Sequence, residues 1–351
     1  HLHAGLRPMI RINGKLIPVS EKKLTPQFTE SLVDVVCDEK AKGRLAEKNQ
    51  ADMAYSVAGI GRFRVNLFKQ RGSYSAVLRV INSDEEQLKK VNLPPEVIEY
   101  FRDMEKGLVL VTGPTGSGKS TTLARIVDEI NKEHAKMIIT IEDPIEFLHT
   151  AKNSAVVQRE IGSDANSFSE ALVAAMRQDP EVIMIGEIRD YATAQAALSA
   201  AQTGHLVFST LHTMDTVRTV NRMIELFPPH ERGTARLLFA ESLVGIVSQR
   251  LLPRKGGHGR VAALEILKVT LRIKDLVKDE NRTSELYDAM RDSRLDGMIS
   301  FDDYIAELYG QDIIDYVTGA AAATSAQNFK MAATQIDLER GRETPMVTQF
   351  E

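Results

Sequence analysis

The sequence has 351 residues, of which 43% are hydrophobic and 26% charged, a composition typical of a soluble globular protein long enough for two domains. Its net charge of −4 argues against nucleic acid as the main partner, and its single cysteine, Cys37, excludes an intrachain disulfide or four-cysteine zinc module. No apolar run approaches the ~20 residues that cross a bilayer, so we expect a cytoplasmic protein without a membrane span.

The N-terminal part, residues 1–81, predicts an α+β domain. A hairpin is expected around Asn13-Gly14, because this pair suits a type I′ turn. Residues 82–96 are polar and contain two adjacent prolines, which predicts an interdomain linker. Four segments carry the periodicity of regular structure, namely the strands Met9–Ile12, Arg62–Phe68 and Ser75–Ile81 and a helical stretch over Thr29–Asn49.

From residue 97 the pattern changes to alternating strands and helices, which predicts an α/β core over 97–266 with a mainly parallel sheet covered on both faces. The expected strands are Leu108–Thr112, Met137–Ile141, Val182–Ile185, His205–Ser209 and Val261–Ile266. The expected helices are Phe168–Arg177, Tyr191–Ala201, Thr216–Leu226 and Ala235–Gln249. Residues 267–318 predict further helices, and residues 319–351 predict a partly flexible tail with little to bury.

The segment Gly113–Ser120 matches the phosphate-binding loop G-x-x-x-x-G-K-[ST] and lies between a predicted strand and a predicted helix. In such a loop, backbone N–H groups and the helix N-terminus face the phosphates. Lys119 is expected to reach the β- and γ-phosphates of ATP, and Ser120 to ligate Mg²⁺. A glycine-rich surface turn is the alternative. The expected nucleotide-binding residues are Gly113, Pro114, Thr115, Gly116, Ser117, Gly118, Lys119, Ser120 and Thr121.

Two acidic boxes follow predicted strands, at the edge where ligands bind in α/β sheets. Glu142 precedes a proline that ends its strand, and we expect it to orient or deprotonate the attacking water. Glu187 follows Gly186, which stands where the Walker B strand usually has aspartate. The alternatives are a solvated acidic turn for the first box and a buried strand capped by a surface Glu-Arg pair for the second.

Histidines and arginines complete the candidate set. His212 follows a predicted strand and could hydrogen-bond to the γ-phosphate, whereas His205 lies at the start of that strand and suits a structural role. A zinc site is not expected, because further ligands at metal-site spacing are missing. The N-terminal part contains four arginines that form a solvated basic face or offer a guanidinium to a phosphate across a subunit boundary: Arg62, Arg64, Arg71 and Arg79. Spacing alone favours the solvated face.

These boxes resemble, in order and spacing, those of the type II/IV secretion ATPase superfamily, and most of all its twitching-motility branch. The resemblance runs from His3 to Phe329 and includes Gln249–Pro253 and Gly259–Glu265. It implies a PAS-like α+β domain followed by a RecA-like P-loop ATPase domain with a helical C-terminal part. It also implies a ring-shaped homohexamer that binds Mg-ATP between its domains.

By matching position, the resemblance assigns functions to five residues. Glu142 and Glu187 would be the catalytic carboxylates, Arg64 and Arg79 the arginines that meet the nucleotide phosphates, and His212 a phosphate sensor. The implied activity is ATP hydrolysis that powers type IV pilus retraction. The implied partners are an inner-membrane pilus platform protein and a paralogous retraction ATPase, and the implied location is peripheral, at the pilus base.

Two features bear on the branch. Extension and secretion ATPases generally carry a four-cysteine zinc insert, and one cysteine cannot form it, which favours retraction. Arg272–Asp279 has lysines where the retraction signature Ala-Ile-Arg-Asn-Leu-Ile-Arg-Glu has arginines, so a principal and an accessory retraction ATPase both stay open. An extension or secretion ATPase and a nucleic-acid translocase are the alternatives. The family's first helix is missing ahead of His1, so we expect a longer native N-terminus.

Overall fold

The computed structural model describes residues 1–12 and 15–342. The chain divides into two units. The N-terminal unit contains His1–Ser83 together with Pro144–Leu148 and Gly162–Asp164, and the remainder belongs to the second unit. Among the described helices, none combines the length and the apolar character that a membrane span requires.

The N-terminal unit is built on a four-stranded antiparallel sheet with the order β1-β6-β5-β4 and a separate β2-β3 hairpin. Val65 and Leu67 of β5 are fully buried, and with Ala41 and Leu45 of α2 they form its core. The elements are β1 (Leu2–His3), β2 (Met9–Ile12), β3 (Lys15–Pro18), α1 (Pro26–Val36), α2 (Glu39–Lys48), β4 (Gln50–Val57), β5 (Gly61–Gln70) and β6 (Ser73–Val80).

The hairpin with its strand Met9–Ile12 and the strands predicted over Arg62–Phe68 and Ser75–Ile81 are confirmed, while the turn at Asn13 and Gly14 lies outside the described residues. The prediction of one helical stretch over Thr29–Asn49 is wrong, because the backbone is extended at Cys37 and a second helix begins after Asp38. The Asp38 side chain accepts a hydrogen bond from the Ala41 N–H at 2.7 Å and so caps α2. The strand β4 was not predicted.

The second unit alternates strands and helices around one seven-stranded sheet. Its strands are β7 (Gly107–Thr112), β8 (Met137–Glu142), β9 (Ala155–Glu160), β10 (Val182–Ile185), β11 (Leu206–Leu211), β12 (Leu243–Pro253) and β13 (Arg260–Lys268). Its helices are α3 (Glu85–Lys89), α4 (Pro95–Arg102), α5 (Lys119–Glu133), α6 (Phe168–Ala175), α7 (Tyr191–Gln202), α8 (Thr216–Glu225), α9 (Arg232–Ser242), α10 (Leu271–Lys278), α11 (Leu286–Asp292), α12 (Phe301–Gly310), α13 (Tyr316–Ala322) and α14 (Ala326–Glu339).

The sheet has the order β13-β12-β7-β11-β10-β8-β9, and all neighbours are parallel except the pair β12 and β13. Every residue of β7 is buried, as expected for a central parallel strand. Leu108 and Leu110 pack into one core layer, and Val109 and Val111 pack into the layer on the opposite face. The predicted α/β architecture with a mainly parallel, doubly covered sheet is confirmed.

The prediction of a helix over Ala235–Gln249 is wrong in its second half. Helix α9 ends at Ser242, and Leu243–Pro253 forms β12, which inserts between β7 and β13. The segment is rich in valine, leucine and isoleucine, which pack well in a buried strand, and its backbone groups are paired with two neighbouring strands. Periodicity alone did not distinguish the two conformations.

Two segments predicted to be loosely held contain buried helices. The linker predicted over residues 82–96 includes α3, and Leu88 and Leu93 are buried in the second unit. The tail predicted to bury little includes α14, where Phe329 is fully buried and Tyr309 donates a hydrogen bond to Asp337 at 2.9 Å. Residues 343–351 lie outside the described residues.

Candidate active site

The phosphate loop connects β7 to α5, as the motif predicts. Gly113 has φ +146°, and a Cβ there would lie 2.3 Å from the Gln249 carbonyl oxygen, so a side chain is excluded. Gly118 adopts the left-handed conformation with φ 92° and is the N-cap of α5, and no side chain caps this helix. The first N–H groups of α5 are therefore available to an anion.

Lys119 and Ser117 of the phosphate loop differ in whether their polar groups have hydrogen-bond partners. The Lys119 ammonium donates to the carbonyl oxygens of Gly113 at 2.9 Å and Pro114 at 3.1 Å. Ser117 is buried, and its hydroxyl has no hydrogen-bond partner within the described part of the chain. A buried hydroxyl without a partner costs free energy, so a ligand oxygen at this loop would be stabilising. Both features fit a nucleotide phosphate.

The carboxylate of Glu142 lies at the C-terminal end of β8 and is largely buried. Thr140 donates to it from the hydroxyl at 2.6 Å, and Gln158 donates from its amide at 3.2 Å. Strand β9 supplies Gln158, so two neighbouring strands fix the orientation of this carboxylate. A charged group held by donors on two rigid strands is well placed to orient a water molecule.

Glu187 and His212 are brought together by adjacent parallel strands. Glu187 follows β10 and His212 follows β11, and the two side chains meet with 3.3 Å between His212 Nε2 and a Glu187 carboxylate oxygen. Arg189 forms an ion pair with the other oxygen of Glu187. His212 is about half exposed and Glu187 is mostly buried, so this pair lies at the surface end of the sheet.

His205 and Gly186 have local structural functions. His205 Nδ1 lies 2.9 Å from the carbonyl oxygen of Ala200, near the C-terminal end of α7. This contact fits a structural role for His205. At Gly186, a Cβ would lie 3.4 Å from the carbonyl oxygen of Ile141, which is ordinary contact distance. Close approach therefore does not by itself require glycine at position 186.

Arg64 and Arg79 belong to the N-terminal unit, where the structure places them directly opposite each other on β5 and β6. Both side chains are exposed. Opposed residues of an antiparallel pair share one face of the sheet, and like charges in that position repel. Among the described residues, no carboxylate forms an ion pair with either guanidinium. This cationic pair could therefore accept an anionic group.

Sequence reasoning missed a polar network between β7 and α8. The Thr112 hydroxyl donates to Ser248 at 2.9 Å, and the Thr219 hydroxyl lies 3.4 Å from Thr112 and 2.7 Å from the Thr213 hydroxyl. Thr213 directly follows His212. The network therefore connects the base of the phosphate loop with the loop that carries the histidine. Hydroxyls on separate elements leave no local sequence signal.

Glu265 on β13 is the second missed residue. It is 2% exposed, and its carboxylate accepts the N–H of Thr216, the first residue of α8, at 2.7 Å. Burial raises the pKa of Glu265 to about 7, against the smaller opposing effects of the Thr216 N–H and the Arg250 charge. This carboxyl group holds the N-terminus of α8 next to the His212 loop.

Replacing Glu265 by glutamine should stabilise the protein increasingly between about pH 4.5 and 7. In that range the folded carboxyl group, with a pKa of about 7, binds more protons than the unfolded one, with 4.5, so the wild type loses stability as pH rises. Relative to wild type, the free energy of unfolding of Glu265→Gln should therefore increase by on the order of 3 kcal/mol between the low and the high end of this pH range. Glutamine keeps an acceptor for Thr216, and urea unfolding at pH 5 and pH 7.5 measures the change.

The exposed carboxylate Glu225 supplies the control for this comparison. Glu225→Gln should change the free energy of unfolding by a few tenths of a kcal/mol at either pH, because its ion pair with Arg222 is on the surface. If the difference between Glu265→Gln and wild type is the same at both pH values, the raised pKa of Glu265 is wrong.

A cavity of about 500 Å³ adjoins the tip of the phosphate loop, at Thr115 and Gly116. Arg250 borders it, donates to the Ala322 carbonyl oxygen at 2.7 Å, and stacks 4.0 Å above the Phe301 ring. The wall also includes two further arginines and several apolar side chains, among them Arg218, Arg260, Met214, Leu251, Leu252 and Ala321. Apolar surface beside guanidinium groups suits an aromatic ring attached to phosphates.

Few side chains among the described residues could ligate a cation. The described residues contain no group of three His, Cys, Asp or Glu side chains that could hold a metal ion. Ser120 offers a hydroxyl in the first turn of α5 and is half-buried. Mg²⁺ commonly binds one or two protein oxygens together with substrate phosphates and water. The residues present therefore fit a magnesium ion that arrives with the nucleotide.

Comparison with known proteins places these features in a family context. The family model described as "Type II/IV secretion system protein" matches residues 11–300. The chain is 40% identical to the type IV pilus retraction ATPase PilT of Pseudomonas aeruginosa over 329 residues, which is 94% of this chain and 95% of that protein. It is 38% identical to the type IV pilus ATPase PilU of the same organism, over 93% of this chain and 85% of that one.

A solved structure, the pilus retraction motor PilT with bound ADP, superposes with a TM-score of 0.85 at 42% identity and covers 94% of both chains. This likeness confirms the predicted fold class, an N-terminal α+β domain followed by a RecA-like ATPase domain with a helical C-terminal part. Because the match covers both units, the resemblance is not limited to the phosphate loop.

Proposed function

We propose, since this chain belongs to the type II/IV secretion system protein family, that it is an ATPase motor that powers type IV pilus retraction. It hydrolyses ATP to ADP and phosphate and works as a homohexameric ring. The observation that carries the proposal is similarity to a pilus retraction ATPase over 94% of the chain, together with an intact phosphate loop.

ATP binding is assigned to the phosphate loop and the adjoining cavity. The loop N–H groups and the uncapped N-terminus of α5 face the phosphates, and Lys119 exchanges its contacts to Gly113 and Pro114 for phosphate oxygens. The adenine and ribose occupy the cavity beside Arg250. Ser120 holds Mg²⁺, which neutralises charge on the phosphates.

Hydrolysis is assigned to the two carboxylates at the ends of β8 and β10. Glu187 accepts the proton of the attacking water, and Glu142, fixed by Thr140 and Gln158, orients that water. His212 is assigned as the γ-phosphate sensor, and it contacts Glu187. The next residue, Thr213, connects the histidine loop through Thr219 to Thr112 at the base of the phosphate loop. Binding and hydrolysis therefore change the same group of contacts.

Arg64 and Arg79 are assigned to the transition state, where two guanidinium groups neutralise charge on the transferred phosphoryl group. Their opposed positions on β5 and β6 create a repulsion that a phosphate relieves. We further propose that ring assembly completes the site. The site then forms only when subunits meet.

Activity should therefore depend on assembly. The ATPase rate per subunit should rise steeply with protein concentration as rings form, and Arg64→Ala and Arg79→Ala should assemble yet hydrolyse ATP about 100-fold more slowly or worse. Light scattering combined with phosphate release measures both properties. Arg71→Ala, at an exposed turn of the same unit, is the matched control. A fully active monomer would leave the two arginines as ordinary surface charge.

The proposed partner is an inner-membrane pilus platform protein, and the proposed location is the cytoplasmic side of the pilus base. Mechanical work comes from conformations that bind ATP and ADP differently, so the ring must contact a component that moves with the pilus. A platform protein at the base is such a component.

Deleting the gene should leave surface pili present or more abundant, while twitching is lost or weakened. Retraction removes pili from the surface, so its loss shifts the balance towards extended pili. Electron microscopy of pili and twitching-zone assays measure the two effects. Complete absence of pili would point to an extension motor and would overturn the retraction assignment while leaving the ATPase assignment in place.

An accessory retraction ATPase is the second candidate, and the similarity to PilU favours it. The lysines that replace signature arginines, Lys274 and Lys278, both form ion pairs with Glu241 of α9, at 2.8 Å and 2.6 Å. These pairs lower the pKa of Glu241 to about 2. The lysine charges are engaged within the chain, so contacts to other proteins at this helix differ from those of an arginine pair.

A further inference from the structure

We propose that Gln249 is a positioning residue that fixes the phosphate loop in its nucleotide-binding conformation. The inference rests on the proposed function in one respect, namely that the loop binds the phosphates of ATP. Gln249 makes no assigned contact with the nucleotide, and it acts through the backbone of the loop. No local motif around it predicts this function, and the segment was expected to be helical.

Strand pairing places Gln249 beside the start of the loop. Ser248 of β12 is the register partner of Thr112, the last residue of β7, so Gln249 lies next to the point where the chain enters the loop at Gly113. Its side chain is 1% exposed. Its carbonyl oxygen occupies the space that a Cβ at Gly113 would need, at 2.3 Å.

The side-chain amide of Gln249 bridges the loop and the helix. Its Nε2 donates to the carbonyl oxygen of Ser117 at 2.6 Å, and its Oε1 accepts from the Thr122 hydroxyl at 2.9 Å. Both bonds are buried, so neither group can exchange its partner for water. The bridge requires a donor at one end and an acceptor at the other, which an amide supplies.

The bond to Ser117 orients a peptide group. In a trans peptide the C=O and the following N–H point in opposite directions. With the Ser117 carbonyl directed at Gln249, the Gly118 N–H is directed away from it. A phosphate-binding loop works through such N–H groups, so releasing this peptide should disorder one of the donors that face the phosphates.

The position of Gln249 predicts which kinetic constant changes. In the sheet order, β12 lies on one side of β7, while the strands that carry Glu142 and Glu187 lie on the other. Loss of the bridge should therefore weaken binding of the phosphates and leave the proton-accepting carboxylates in place. A general loss of folding would instead reduce the active fraction and lower kcat without raising KM.

The test compares Gln249→Met, which keeps the shape but loses both hydrogen bonds, with Gln249→Glu, which keeps the acceptor but cannot donate to Ser117. Titration with a fluorescent N-methylanthraniloyl ATP should give a Kd raised at least about tenfold in both variants, with the larger increase in Gln249→Glu, whose negative charge lies beside the loop. KM for Mg-ATP should rise in parallel, and kcat at saturation should stay within about threefold of wild type.

Thr122 supplies an independent measurement at the other end of the bridge. Thr122→Val should raise Kd a few-fold, Thr122→Ser should restore it, and the double variant with Gln249→Met should be little worse than Gln249→Met alone. Gln335→Met, which removes an exposed glutamine on α14, should bind like wild type. Thermal melting identifies variants that fail to fold, and Thr122→Val keeps the proposal testable if Gln249→Met is among them.

The outcomes separate two failures. If wild type binds no nucleotide, the proposed function fails first. If wild type binds but folded Gln249→Met has Kd and KM within twofold of it, or loses kcat with KM unchanged, the positioning function of Gln249 is overturned.

Discussion

Lys119→Ala should abolish tight binding of Mg-ATP. The ammonium is almost fully buried in the phosphate loop, and two carbonyl oxygens hold it there without a ligand. Removing a charge-assisted contact to each of two phosphates should raise Kd about 100-fold or more, since each such bond contributes roughly 1.5–3 kcal/mol. Titration with labelled ATP measures the loss, and hydrolysis should fall with it.

Lys132→Ala is the matched control because this lysine lies on the same helix, near its other end, in a surface ion pair with Glu133. It should bind ATP like wild type. Circular dichroism of both variants checks that α5 is intact. Unchanged affinity in a folded Lys119→Ala variant would show that the loop does not bind the phosphates in the assigned way.

Glu187→Gln should retain nucleotide binding and lose turnover. The amide has nearly the size of the carboxylate and can stay beside His212, but it is a poor proton acceptor. A general base contributes about 10²- to 10⁴-fold, so kcat should fall by that order while Kd changes little. Phosphate-release kinetics and ATP titration on the same preparation separate the two constants.

The exposed Glu225 again provides a comparison, and Glu225→Gln should hydrolyse ATP at the wild-type rate. Glu142→Gln should also lower kcat, because the Glu142 carboxylate is held by Thr140 and Gln158 at the same edge of the sheet. Wild-type turnover in Glu187→Gln would remove this residue from the catalytic assignment and leave Glu142 as the remaining candidate base.

Sequence reasoning worked best where structure is local. The phosphate loop, its flanking strand and its helix follow from contiguous residues, and the structure places β7 and α5 accordingly. The strand at Val182–Ile185 coincides with its prediction. Continuous apolar runs bounded by glycine or polar residues leave few alternatives in an alternating α/β pattern.

Prediction failed where the partner of a segment lies far along the chain. Leu243–Gln249 has the composition of either a buried helix or a strand, and only pairing with β7 decides between them. The same error hid the function of Gln249, because its side-chain amide forms hydrogen bonds with Ser117 and Thr122, which lie far away along the chain. Helix α14 was missed because, of its large apolar residues, only Phe329 is buried, in a segment rich in alanine and polar residues.

In the candidate site, too, individual residues could be predicted from the sequence, but the contacts between distant segments could not. Glu187 and His212 could be named from their strands, but the contact between them depends on the order of β10 and β11 in the sheet. Arg64 and Arg79 lie 15 positions apart along the chain, and only the antiparallel register makes them neighbours. The function of Glu265 was not predicted, because a carboxyl group in an apolar strand is recognised only once its acceptance of the Thr216 N–H is seen.

The most direct test of the account follows individual fluorescently labelled pili in cells that lack the gene and carry either the wild-type or the Glu187→Gln copy. ATP hydrolysis by this chain is proposed to drive retraction, so the wild-type copy should restore cycles of extension and shortening. The Glu187→Gln copy should leave pili that extend but shorten rarely or slowly. Shortening at the wild-type rate with Glu187→Gln, or cells without pili, would contradict the proposal that this ATPase powers retraction.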